Sequence, residues 1–183
     1  MPTADEKLTM IARSENEKTE LKLAGENLFN FAVERDDVKT LVGLLSGEAT
    51  CRPAAIEYEL QLLKIIATGW SISFFVDNNP HRDKLAEIFW KLIHGFSADL
   101  SDTTGLMTGR DIDYFQVVKD RLDMYVAALT DKPEMHEPAA IIGPAFARVC
   151  GDGDDVFTIM TGARMFILTV ARVKDYLESI ELQ

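Results

Sequence analysis

Residues 156–180 read VFTIMTGARMFILTVARVKDYLESI, and their apolar positions recur in alternating steps of three and four. Val156, Ile159, Ala163, Phe166, Val170, Val173, Leu177 and Ile180 therefore lie on one face of a helix with 3.6 residues per turn. Asp152, Asp154 and Asp155 stand just ahead of that stripe, where carboxylates cap free amide groups and complement the positive end of the helix dipole. The pattern predicts a helix over about 154–180. No stretch of the chain shows the strict alternation of a half-buried strand, so the predicted fold class is all-α.

Working outward from that segment, a second long stripe runs through Ile56, Leu60, Leu63, Ala67, Trp70 and Phe74, opened by Pro53, a residue suited to the first helical position. Its opposite face begins with Glu57, Gln61 and Lys64 and turns to Thr68, Ser71 and Phe75, so the second half of this helix is expected to be covered on nearly every side. Helices over about 53–77 and 154–180 are the expected central apolar pair. Around them the sequence predicts a helix ending near Arg35 and a short one through Val38 to Leu45. A fourth is opened by Asn79-Pro80 and ends near Leu100. A loop over Ser101–Gly109 follows, then a helix over Phe115–Leu129, with Thr108 and Asp111 at the spacing of a capping box. Gly143-Pro144 is expected to interrupt the next element, and Gly151 to end it. The expectation is a single-domain bundle of six or seven helices over 17–183, preceded by a polar, flexible arm over 1–16 whose possible anchors are Leu8, Met10 and Ile11.

Composition narrows the function classes. The chain has 183 residues, 47% of them hydrophobic, with 19 Lys+Arg against 30 Asp+Glu for a net charge of −11. That is enough apolar material for a core and too little clustered basic charge to grip nucleic acid or an anionic membrane. In the first half of the chain the longest uncharged run, Ile65–Val76, falls short of the roughly 20 residues that span a bilayer, and no spanning segment is expected. The start, Met1-Pro2-Thr3-Ala4-Asp5-Glu6-Lys7, lacks the basic and apolar pattern of a signal peptide, so a cytoplasmic location is expected. Cys51 and Cys150 have no CxxC spacing and read as reduced thiols.

Catalytic signatures are sparse. No Gly-x-Ser-x-Gly elbow, no phosphate-binding GxxxxGK[ST] loop and no GxGxxG occurs. The residues three before His81, His94 and His136 are Asn78, Lys91 and Pro133, so no Glu-x-x-His pair can bridge two metals. Asp152-Gly153-Asp154-Asp155 opens like a calcium loop, but Ala163 stands where the closing Glu is needed. Arg164 is the most informative polar residue. Its neighbours on the helix are Met160, Thr161, Ile167 and Leu168, so a buried guanidinium is expected, in need of a carboxylate or a ligand anion. Asp113, Asp111, Glu57 and Glu59 are its possible partners. Arg164, Asp113 and Trp70 form the expected ligand-binding set, with Thr68, Ser71 and Ser73 able to add hydroxyls.

One arrangement carries a family likeness. Glu17-x-x-Glu20 followed by Glu34-x-x-Asp37 resembles the ExxE…ExxD pattern of the all-α MazG-type nucleotide pyrophosphohydrolases over about 21 residues. The resemblance implies a magnesium site of Glu17, Glu20, Glu34 and Asp37 on facing helices, and pyrophosphate release from a nucleoside triphosphate. The leading expectation is instead a non-enzymatic interaction or regulatory module without catalytic residues or cofactor. Its partner would be a protein or a second copy in a homodimer, with neither nucleic acid nor membrane involved. Between the two stands a small-molecule domain that would bind an anionic or amphipathic ligand between its central helices, anchored by Arg164.

Overall fold

Pro53 starts the helix that organises the molecule. Arg52 before it is extended (φ −67°, ψ 130°), and the proline ring then sets the first helical φ. The computed structural model describes residues 4–76 and 81–180, with side chains from residue 15 onward, and this helix is the third of seven. They are α1 (Ala4–Val33), α2 (Asp36–Gly43), α3 (Pro53–Phe75), α4 (Arg82–Thr108), α5 (Tyr114–Thr130), α6 (Pro138–Cys150) and α7 (Val156–Ser179). No strand occurs among the described residues. All seven helices feed one apolar cluster, in which Ile56, Leu60, Leu63, Ala67 and Ile72 of α3 are fully or almost fully buried. The all-α bundle read from the helical stripes is the fold.

The long helices pack on the expected stripes in α3 and α4 up to their last turns, whereas α7 is rotated so that Thr158, Gly162, Met165 and Thr169 face the core and Val156 is exposed. α1 lies along α4, and α3 lies against both and against α7, while α6 forms a tight pair with α7. Two glycines permit that tight pair: a Cβ on Gly162 would lie 2.4 Å from the Phe146 ring, and one on Gly143 would lie 2.8 Å from the Ile159 carbonyl oxygen. Phe146 is fully buried, so the ring has no room to yield.

Several boundaries differ from the expectation, each for a local reason. Residues 4–16, expected as an arm, have helical backbone as part of α1, and Leu21 is the first buried residue among the described side chains. α4 does not end near Leu100 but continues through the expected loop to Thr108. Ser101, Thr103 and Thr108 donate their hydroxyls to the carbonyls four residues back (2.8 Å each), so polar side chains that read as loop-formers are satisfied inside the helix. Gly109 then ends α4 in the left-handed conformation (φ 67°). The cap of α5 is Asp113, not the Thr108–Asp111 pair; its carboxylate accepts the Gln116 amide at 2.9 Å. α6 continues through Gly143-Pro144 because a proline within a helix forfeits one backbone bond without ending it, and Gly143 meets α7 where no side chain fits. Asn79-Pro80 lies outside the described residues.

The expected central pair is present but unequal. α3 is covered along most of its length, although its last turn exposes Ser73 and Phe74. α7 packs on α3 and α6 and leaves its other face largely open.

Candidate functional site

Lys64 sets the geometry of that open face. Its side chain is 0% exposed, and its ammonium group donates to the Glu34 carbonyl (2.9 Å) and the Glu34 carboxylate (3.2 Å) and pairs with Asp37 (3.1 Å), over the ring of Phe31. These contacts hold the corner between α1 and α2. Asp37 also accepts Arg172 of α7 at 2.7 and 2.8 Å, so one carboxylate joins α2, α3 and α7. Burial alone would raise the pKa of Asp37, but Lys64 and then Arg172 outweigh it and hold the carboxyl below its usual range. Glu34 is lowered in the same way, with burial opposed by the Asp36 amide and Lys64.

A second anchor lies at the opposite end of α7. The buried Asp155 caps the helix by accepting the Phe157 and Thr158 amides and the Thr158 hydroxyl (2.7 Å), and it also accepts the amides of Thr50 (2.9 Å) and Cys51 (3.2 Å). Burial opposes its charge, yet these donors hold its carboxyl far below the usual carboxylate range. The segment from α2 to Cys51 is thus tied to α7 at both ends.

Between the ties runs a groove of about 800 Å³. Leu41, Leu44 and Leu45 form one wall, and Phe157, Met160, Ala163, Ile167 and Leu168 of α7 form the other. Large apolar groups stand open there: Leu44 is 66% exposed, Met160 64% and Ile167 55%. Two of its three polar side chains have local bonds, Thr161 donating to the Phe157 carbonyl and Ser46 accepting the Glu48 amide. The third is Arg164, which is exposed and has no carboxylate or carbonyl partner among the described residues.

The placement corrects the expected ligand set. Arg164 is not buried between the central helices; it leaves the outer face of α7 toward α2. Its candidate partners are occupied elsewhere or distant from the groove: Glu57 pairs with Arg35, the buried Glu59 holds Arg121 in a two-pronged contact (2.8 Å each), and Asp113 caps α5. Trp70 stacks on Phe74 (centroids 4.8 Å apart) and leans on Phe166, away from the groove. Thr68 and Ser71 donate to their own helix carbonyls at 2.8 and 2.7 Å. Arg164, Asp113 and Trp70 therefore do not converge.

Nor do the four acids. Glu17 and Glu20 sit on the same helix that ends just before Glu34, which separates the pairs by roughly 20 Å of α1 at 1.5 Å per residue. No group of three or more metal-ligating side chains gathers among the described residues. Cys51 and Cys150 are buried free thiols, and burial together with Glu59 pushes Cys150 up to about 12.

A sequence signal for the groove exists. Phe157, Met160, Arg164 and Ile167 form a second stripe on α7 beside the one through Val156, Ile159 and Ala163, of which only Phe166 and Val173 are buried; the core side is Thr158, Gly162, Met165, Phe166, Thr169 and Val173. From Val156 to Ala171 the only charge is Arg164, and α7 is long and apolar enough to cross a membrane by length and composition, with a best-window mean hydropathy of 1.5. The expectation that no segment reaches that mark came from the first half of the chain and does not extend to α7. One third of that window is buried, so its apolar character serves two surfaces, the core and the groove.

What the fold and the groove define is an all-α bundle with an open apolar cleft. No family model matches the chain, and neither does any curated protein or solved structure.

Proposed function

We propose that this chain is a protein-interaction module whose α2–α7 groove takes up an amphipathic helix carrying a carboxylate among its apolar anchors. The observation that carries the reading is Arg164, a cation without a partner among the described residues, in a groove with tied ends whose other lining is apolar except for Ser46 and Thr161. From Phe157 to Leu168 the groove follows about 17 Å of α7, or three helical turns. That length suits a helix presenting anchors at i, i+3, i+4 and i+7. The net charge of −11 favours a helix whose outer face is basic and whose acid is confined to the position facing Arg164. No catalytic role is assigned to any residue.

Fluorescence anisotropy with labelled helical peptides tests it. Three peptides are compared: one with leucine anchors and a central Glu, the same peptide with Lys in that place, and residues 1–20 of this chain, where Leu8, Ile11 and Glu15 have the required spacing. The Glu peptide is expected to saturate the protein, and the Lys peptide to bind about tenfold more weakly or worse, since like charges across an interface are costly. Ile167→Asp should abolish binding. Equal affinities for the Glu and Lys peptides, or unchanged binding by Ile167→Asp, would overturn the reading. Preference for residues 1–20, together with a dimer in light scattering, would identify the partner as a second copy.

A further inference from the structure

Given the α2–α7 groove as a helix site, on which this inference rests, we propose that its partner seats a side chain of leucine size or larger over Ala163, one turn from the carboxylate that meets Arg164. Ala163 is then the residue that sets which amphipathic helices the groove accepts.

Spacing on α7 carries the assignment. Met160, Ala163, Arg164 and Ile167 stand at i, i+3, i+4 and i+7, and all four line the groove. Four residues of one helix frame the hole into which a facing helix inserts a single side chain. Two corners of this hole are tall and open to solvent: Met160 is 64% exposed and Ile167 55%. They are about 10 Å apart along the helix. Between them Ala163 is partly buried and carries one methyl group. α6 closes the hole from below, where a Cβ added to Gly143 would lie 3.3 Å from the Ala163 Cβ. The result is a short notch with a solid floor. A small side chain inserted there would leave Met160 and Ile167 without contacts on their facing sides. Arg164 is the remaining corner and has no carboxylate partner among the described residues. Residues three or four apart on a helix share a face, so the acid that meets Arg164 stands one turn from the large anchor.

Fluorescence anisotropy tests this with the leucine peptide carrying a central Glu and two derivatives, in which the leucine one turn before or one turn after the Glu is changed to Ala. One of the two changes is expected to weaken binding about tenfold or more. Ala163→Leu fills the notch and should reverse the order, so that this Ala peptide binds the variant more tightly than the parent peptide does. Ala163→Val adds less bulk and should already narrow the ratio about threefold; circular dichroism and a cooperative melt identify the folded variants. No saturable binding of the parent peptide would overturn the groove reading and this one with it. Saturable binding with equal affinities for all three peptides, or a ratio that no folded variant changes, would overturn the assignment of Ala163 alone.

Discussion

Lys64 and Arg164 exchange the places that their sequence neighbourhoods suggest. Lys64 follows Glu57 and Gln61 on what reads as a polar stripe, yet it is fully buried, with a carbonyl and two carboxylates around its ammonium group. Arg164 lies between apolar residues on what reads as a buried surface, yet it is exposed and partnerless among the described residues. One charge is spent inside the protein and the other is left available. A buried cation is tolerated where the local corner supplies every partner, here the end of α1 and the start of α2. An exposed cation on an apolar face has no such internal use, which is why the outer side of α7, and not its core side, is the part to test for binding.

The largest expected effect breaks the Lys64 side of this contrast. The double change Glu34→Gln and Asp37→Asn strands a buried ammonium group and should cost about 3–5 kcal/mol in urea unfolding. Lys64→Met removes the buried charge and leaves carboxylates that reach water (42% and 24% exposed), so its cost should stay within about 1 kcal/mol. If Lys64→Met were as damaging as the double change, the ion cluster would be a net source of stability and not merely a satisfied burial.

Next comes Asp155. Asp155→Ala removes a helix cap and the bonds to Thr50 and Cys51, and should cost about 2–3 kcal/mol. The same carboxylates govern acid stability. Asp155, Glu34 and Asp37 all have lowered folded pKa values, so their contribution is complete above the usual carboxylate range and is lost as pH falls through about 4 toward the folded values. Melting temperatures recorded from pH 7 to pH 2 should therefore fall in the acid limb, and less steeply in Asp155→Ala. An identical acid limb in the variant would remove Asp155 from that account.

The smallest effect on stability belongs to Arg164. Arg164→Met should shift unfolding by no more than about 0.5 kcal/mol, as for a surface site without partners, while removing the preference for Glu over Lys in the groove peptides. A loss of stability comparable to that of Asp155→Ala would show a structural partner for Arg164 and erase the contrast.

The helical stripes made the architecture legible: α3, α7 and the start at Pro53 follow directly from spacing and cap chemistry. What misled were residues whose local preference is overridden by a particular neighbour. Ser101 and Thr103 favour loops until their hydroxyls bond the preceding turn, and Pro144 reads as a break although a helix survives one missing bond. The groove was hidden differently. A helix apolar on two faces shows one strong stripe that lies between core and groove, and the weaker stripe through Phe157, Met160 and Ile167 is easily absorbed into it. Lys64 was unreadable because its partners lie about 30 residues away, at a corner that exists only after α1 and α2 have packed.

The two ties of the groove also have a position in time. Asp37 waits for Arg172, 135 residues later, and Thr50 waits for Asp155, 105 residues later. A chain emerging from the ribosome N-terminus first can pack α1 against α4 long before either tie can form. The α2 wall therefore remains untethered to α7 until that helix is made, and a chain that has not yet reached α7 displays Leu44 and Leu45 without the groove they belong to.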